Sequence, residues 1–117
     1  MKALPVCSLE QLPDDTMRAF QVGGRELVFV RNGERIYALR NLCPHQGADL
    51  SEGMLSCRRV AAQVGEYRTD KGSQVVRCPW HNWEFDIASG TATHDPQGVR
   101  VATYQAYIAD GQVYVKL

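Results

Sequence analysis

Two short segments, each with a cysteine followed closely by a histidine, constrain this chain more than any other feature. The first is Cys43-Pro44-His45 and the second is Cys78-Pro79-Trp80-His81. Chance alone would place one Cys-X-His and one Cys-X-X-His together in roughly one in a hundred chains of this composition, and a Pro after each Cys makes coincidence much rarer. Since thiolate and imidazole groups bind metals, we expect the fold to hold these two segments face to face.

The rest of the sequence is divided into short strand-like runs by turn-forming residues. Trp83–Ile87 alternates apolar and acidic residues, as a half-buried strand would. Ser8, followed three positions later by Gln11, predicts one short helical turn. Six or more short strands with hardly any helical periodicity predict an all-β fold, an antiparallel sandwich or barrel. The predicted hairpin turns are Gly23-Gly24, Asn32-Gly33, Asp70-Lys71-Gly72-Ser73 and Ala109-Asp110-Gly111.

Length and charge limit the functions open to the chain. A length of 117 residues predicts a single domain, 1–117. Its 13 basic and 13 acidic residues cancel, so no basic field is available to bind nucleic acid or an anionic membrane. No run approaches the ~20 apolar residues that cross a bilayer, and the N-terminus lacks the apolar core of a signal peptide. We therefore expect a soluble, cytoplasmic protein, in which metal binding is a better use of cysteine than disulfides.

Two cysteines and two histidines suit either a structural zinc ion or an iron-sulfur cluster. The neighbouring residues favour the second. Cys43-Pro44-His45-Gln46-Gly47-Ala48-Asp49-Leu50 and Cys78-Pro79-Trp80-His81-Asn82-Trp83-Glu84-Phe85-Asp86, followed by Ser89-Gly90, resemble the cluster loops of the Rieske-type 2Fe-2S ferredoxins. This resemblance implies an antiparallel β sandwich or barrel with a small cluster-binding subdomain, formed by loops at about 41–50 and 77–86.

The same resemblance implies which residues hold the cluster. Cys43 and Cys78 would bind one iron, and His45 and His81 the other. Two neutral imidazoles in place of two thiolates make the oxidised cluster less negative, so an electron is added more easily. The reduction potential then lies in a range of roughly −150 to +300 mV.

Aromatic residues beside the second loop predict a potential at the low end of that range. High-potential members of the family carry Ser and Tyr where this chain has Trp83 and Phe85, which cannot supply hydroxyl hydrogen bonds to the cluster. We expect Trp80, Trp83 and Phe85 to be core and shielding residues. The disulfide that joins the loops in the high-potential branch cannot form, because its places hold Gly47 or Ala48 and Trp80.

Three further residues and one segment carry expectations of their own. Cys7 and Cys57 lack nearby ligands and are expected to be free thiols, and His94 is expected at the surface. The 32 residues between His45 and Cys78 are more than many members of the resembled family have. The extra length is expected to enlarge a surface loop at 53–69, which is tolerated because closure entropy grows slowly with loop length.

As a function, the resemblance implies a one-electron carrier between a reductase and a terminal oxygenase. Two alternatives remain: a small Rieske-like subunit of a reductase such as a nitrite reductase, and a structural zinc-binding module. Oxygenases of the family also need an iron held by two histidines and a carboxylate. Beyond His45 and His81 only His94 is left. We therefore expect no catalytic residues and a component of an oxidoreductase system, with reductase and oxygenase proteins as partners.

Overall fold

The protein is described by a computed structural model that covers residues 3–43, 49–61, 67–79, 84–92 and 99–117, with side chains given for all of these except 56–73. In these ranges the chain forms nine strands and two short 3-10 helices, so the all-β prediction is confirmed. The strands are β1 (Ala3–Ser8), β2 (Met17–Val22), β3 (Arg25–Asn32), β4 (Arg35–Arg40), β5 (Met54–Ala61), β6 (Tyr67–Arg77), β7 (Glu84–Asp86), β8 (Thr103–Ala109) and β9 (Gln112–Lys116), and the 3-10 helices are Leu9–Gln11 and Leu50–Glu52.

The strands form two antiparallel sheets. Six of them make a sheet in the order β1-β9-β8-β4-β3-β2, and its edge strands β1 and β2 touch, so that the sheet curves into a nearly closed barrel. The other sheet has the order β5-β6-β7. Among the described residues, no helix is long and apolar enough to cross a membrane.

Strand β3 is shared by two hydrophobic cores. Its residues Leu27, Val28, Phe29 and Val30 are each 0 % exposed, which explains a continuous apolar run in a strand that would otherwise alternate. Successive side chains point to opposite faces, so Leu27 and Phe29 enter the barrel core while Val28 and Val30 enter a second core. The barrel core comprises Leu12, Val22, Leu27, Phe29, Ile36, Ala38, Val113 and Val115. The second core comprises Val28, Val30, Leu39, Cys43, Leu50, Val76, Cys78, Phe85, Ile87 and Val101.

The first two hairpins lie close to where the sequence places them. Gly23 and Gly24 form the β2–β3 turn with positive φ angles of 57° and 78°, as predicted. The predicted Asn32-Gly33 turn is wrong by one residue, since Asn32 still pairs with β4 and the loop is Gly33-Glu34. Gly33 alone adopts a positive φ there, 63°, as in a type II′ turn. Its N–H also donates to Asp14 Oδ1 at 2.6 Å, a bond that sequence inspection does not reveal.

The predicted turn at residues 70–73 and the predicted loop at 53–69 are both wrong. Strand β6 runs without interruption from Tyr67 to Arg77 and pairs with β5, so the hairpin connection falls in 62–66, outside the described residues. Cys57 pairs with Gln74, whereas Arg58 pairs with Asp70. Residues 71–73 therefore have no partner in the ladder and form a bulge-like irregularity in β6. Residues that favour turns are also common in such irregularities. The extra chain length builds a long hairpin.

Three smaller predictions are confirmed. The last hairpin turns at Asp110-Gly111, both with positive φ, although Ala109 of the predicted turn still pairs with Gln112. The Ser8 N–H donates to Gln11 Oε1 at 3.1 Å where the short 3-10 helix begins. In β7, fully buried Phe85 lies between two half-buried acidic residues, which is the alternation the sequence predicts.

Candidate metal centre

Cys43 lies where the chain leaves the barrel. Strand β4 ends at Arg40, and the Leu42 N–H donates back to the Arg40 carbonyl at 2.8 Å, which turns the chain sharply. The Cys43 side chain is 1 % exposed and belongs to the second core with Leu39. The first predicted loop therefore begins with a thiol that faces the protein interior.

Cys78 reaches the same core from the other sheet. It directly follows β6, and as side chains alternate along a strand it lies on the same face as Val76, which is 0 % exposed. Cys78 is also 0 % exposed. The structure thus brings the two predicted cysteine ligands into one buried hydrophobic core, although 34 residues, 44–77, separate them in the sequence.

Asn41 and Ser51 close the base of the first loop. Asn41 Nδ2 donates to Ser51 Oγ at 3.0 Å, and the Ser51 N–H donates to Asn41 Oδ1 at 2.7 Å. Asn41 Nδ2 also donates to Glu26 Oε1 at 2.6 Å, which ties this pair to strand β3. The segment that contains Cys43 is therefore fastened at both ends and to the barrel.

The second loop is closed by strand pairing. Arg77 and Glu84 are register partners of β6 and β7, and Arg77 Nη2 lies 2.8 Å from Glu84 Oε2. The chain thus leaves the sheet after Arg77 and is back in it at Glu84, opposite Arg77, with Cys78 as the first residue of the connection.

Gly53 joins the two loop bases. It follows the 3-10 helix at the end of the first loop and packs against the Arg77 backbone at the entrance of the second. A Cβ atom at Gly53 would overlap the Arg77 carbonyl oxygen and lie 3.2 Å from the Leu50 oxygen. Only glycine allows this close approach without a backbone shift.

Several predicted site residues fall outside the described residues. These are His45, Gly47, Ala48, Trp80, His81, Trp83 and His94. Phe85 is described, and the prediction that it is a core residue is confirmed by its complete burial beside both cysteines.

Cys7 is separate from the site. It lies half-buried in β1, packs against the barrel core and is a free thiol, as predicted. Burial raises the pKa of the Cys7 thiol, and the nearby charge of Arg18 acts in the opposite direction without cancelling this effect. Such a thiol is a poor ligand at neutral pH, because the thiolate is the form that binds metal. The Cys57 side chain is outside the described residues.

Sequence reasoning missed the residues that fasten the loops. In the sequence, little distinguishes Asn41, Ser51 and Gly53 from ordinary loop residues. Arg77 and Glu84 lie in two separate strand-like runs there. The strand register needed to pair Arg77 with Glu84 is a property of the folded sheet. A polar residue directly before a ligand loop, as Asn41 is, was the available signal.

The donor set fits a metal centre. Cys43 and Cys78 are thiols outside any disulfide, both almost fully buried in an apolar core. Thiolates in such surroundings need a cation to offset their charge. Soft sulfur ligands suit both zinc and iron-sulfur clusters, so the two cysteines alone do not distinguish them.

Comparison with known proteins supplies that distinction. The family model described as the Rieske [2Fe-2S] domain matches residues 2–105. The chain is 29 % identical to the ferredoxin of carbazole 1,9a-dioxygenase from Nocardioides aromaticivorans. The match covers 98 % of this chain and 97 % of that ferredoxin, and the two structures superpose with a TM-score of 0.77. A ferredoxin solved in a complex of reduced oxygenase and oxidised ferredoxin is 28 % identical, over 98 % and 96 % of the two chains, at a TM-score of 0.71.

A human relative is much longer. The chain is 31 % identical over 111 residues to apoptosis-inducing factor 3 of Homo sapiens, which is 95 % of this chain and 16 % of that protein. The shared part is thus one module of the longer protein. With a family model that spans most of its length, the chain belongs to the Rieske [2Fe-2S] domain family.

Proposed function

We propose that residues 1–117 form a single Rieske domain that carries one electron at a time from a reductase to a terminal oxygenase. The observation that carries this proposal is the burial of Cys43 and Cys78 in one core, each at the start of a Cys/His segment. The 2Fe-2S cluster of the family decides between iron-sulfur and zinc, which the cysteines alone left open. Support for the oxygenase partner comes from the similar ferredoxins, which serve or bind an oxygenase.

Four residues would hold the cluster. Cys43 and Cys78 would bind one iron through sulfur, and His45 and His81 the other through imidazole nitrogen. A cluster bound in this way accepts and releases one electron. The buried cysteines support the first half of the assignment, and the motif spacing supports the second.

The chain's own contribution is a dry and well-fastened site. Val76, Leu50 and Phe85, all fully buried, surround the cysteines with apolar side chains that keep water from the sulfur atoms. A dry environment disfavours the more negative reduced state, which helps to set the potential within the range that the mixed ligands allow. We place the protein in the cytoplasm, where thiols stay reduced until the cluster binds.

Replacing His81 by Cys tests the ligand assignment. A thiolate in place of a neutral imidazole adds negative charge to the cluster, so the midpoint potential of the His81→Cys protein should fall, as measured by potentiometric titration. The matched control is His94→Cys, which introduces the same thiol at a histidine that we assign to the surface. An unchanged midpoint in His81→Cys would refute His81 as a ligand.

The choice of partner needs a separate experiment. Immobilised protein carrying its cluster should retain the terminal oxygenase of its own system, and reduced protein should reduce that oxygenase in single-turnover mixing. Retention of a nitrite reductase subunit in place of the oxygenase would instead support the reductase alternative.

A further inference from the structure

Asn41 differs from the other buried polar side chain that the structure describes. Asn41 and Gln74 are 4 % and 1 % exposed. Gln74 Nε2 donates to Asp15 Oδ1 at 2.9 Å, but Gln74 Oε1 has no hydrogen-bond partner among the described residues. Asn41 uses both its amide donor group and its oxygen. A buried amide costs free energy unless it is fully bonded, so the complete set around Asn41 marks a well-defined position.

The hydrogen bonds of Asn41 join three parts of the chain. Its backbone N–H donates to the Glu26 carbonyl at 3.1 Å, and its Nδ2 donates to the Glu26 carboxylate at 2.6 Å, which fixes it to β3. Nδ2 and Oδ1 then bond Ser51 in the 3-10 helix at 3.0 and 2.7 Å. The bond to a carboxylate is charge-assisted and therefore stronger than the neutral ones.

These bonds enclose the first ligand loop. Asn41 stands two residues before Cys43, and Ser51 follows Leu50, which is 0 % exposed and packs in the same core as Cys43. The enclosed segment, 42–50, contains Cys43 and His45, which are one proposed ligand to each iron. The second loop has its own attachment through Arg77 and Glu84.

We propose that Asn41 is a positioning residue for electron transfer: by bonding Glu26 and Ser51 it holds the first ligand loop in one place on the barrel in both oxidation states. This inference rests on the ligand assignment proposed above. Gain of an electron changes the charge of the cluster and the pull on its ligands. A loop fastened at both ends relaxes less, so the cluster keeps a single ligand geometry.

The test compares three variants of the protein with its cluster bound. Asn41→Ala removes every side-chain bond of the set, and Ser51→Ala removes only the Oγ acceptor while its N–H can still reach Asn41 Oδ1. Gln74→Leu is the matched control, because it removes an equally buried amide that is bonded to Asp15 rather than to the first loop. The readouts are the EPR line width of the reduced cluster, the rate of iron release to a chelator, and hydrogen exchange at the Ser51 amide.

For Asn41→Ala we expect broader EPR lines, iron release faster by about tenfold or more, and faster exchange of the Ser51 amide. Ser51→Ala should show smaller changes in the same direction, and it decides the question if Asn41→Ala does not fold. Gln74→Leu should lower thermal stability and leave line width and Ser51 exchange unchanged.

The inference is overturned if folded Asn41→Ala, or Ser51→Ala in its place, keeps the line width and iron release of the parent protein. It is also overturned if Gln74→Leu broadens the lines equally, since any loss of buried polar bonding would then suffice. A parent protein that takes up no cluster would instead overturn the proposed function. Hydrogen exchange at the Ser51 amide can also be measured in a parent protein that holds no cluster. Slow exchange there would show that the Asn41 bonds form without a cluster, and Asn41 would then have a purely structural role.

Discussion

Cysteine chemistry in this chain depends on what surrounds each sulfur atom. Cys43 and Cys78 lie in an apolar core at the head of two loops, whereas Cys7 lies on a barrel strand opposite Val113. The pairing of each buried Cys with a nearby His was visible in the sequence, because both ligands of a loop lie within four residues. The bond from Asn41 to Glu26 was not, because it links residues that only the β3–β4 ladder brings together.

Serine substitutions test which cysteines bind the proposed cluster. Cys43→Ser and Cys78→Ser should each abolish stable cluster binding, since a buried hydroxyl is a poor ligand for iron. Cys7→Ser is the control and should retain the full iron content, because Cys7 is remote from the second core. Iron and acid-labile sulfide analysis measures the outcome. A Cys78→Ser protein that kept its cluster would contradict the assignment.

At the scale of elements, the two loops are positioned by strands that the sequence located only in part. The hairpins at Gly23-Gly24 and Asp110-Gly111 were predictable, because a two-residue turn with positive φ has a local signature. The long β5–β6 hairpin was not. Its residues 70–73 have the composition of a turn, yet strand pairing on both sides extends β6 through them. Cross-strand pairing outweighs local turn propensity there.

Gly53 should tolerate no side chain, because the two loop bases meet at its Cα. Gly53→Ala pushes a methyl group into the Arg77 carbonyl, and overpacking of this kind costs roughly 2 kcal/mol. The melting temperature should then fall by about 8 °C, with earlier loss of the cluster's visible absorption. Gly33→Ala is the control, since Gly33 has no atom within 4 Å of an added Cβ and its φ of 63° brings only backbone strain. Equal cluster loss in the two variants would show that loop contact is not the cause.

The whole molecule is a barrel, and the three-stranded sheet β5-β6-β7 shares a hydrophobic core with one side of β3 and β4. The pattern of short strands and turn residues predicted its fold class, because that pattern depends on local periodicity and composition alone. It could not predict that β3 is buried on both faces, which requires knowing that the second sheet packs there. This arrangement places the cysteines against the barrel wall rather than on a free surface loop.

The environment of the whole site predicts a low reduction potential. Phe85 is fully buried beside both cysteines and has no hydroxyl group to donate to sulfur, and Trp83 has none either. Hydrogen bonds to sulfur stabilise the reduced cluster, so the lack of a hydroxyl group at these two positions lowers the potential. Potentiometric titration should give a midpoint below about +100 mV. A higher value would mean that other donors reach the cluster.

The central claim is that this chain binds a 2Fe-2S cluster through two cysteines and two histidines and uses it to carry one electron. EPR spectroscopy of the anaerobically purified protein, with iron quantified on the same sample, tests it most directly. The account predicts a red-brown protein with two irons per chain that is EPR-silent when oxidised and gives the signal of one unpaired electron after reduction. A colourless protein that contains zinc, or one whose iron cannot be reduced, would contradict it.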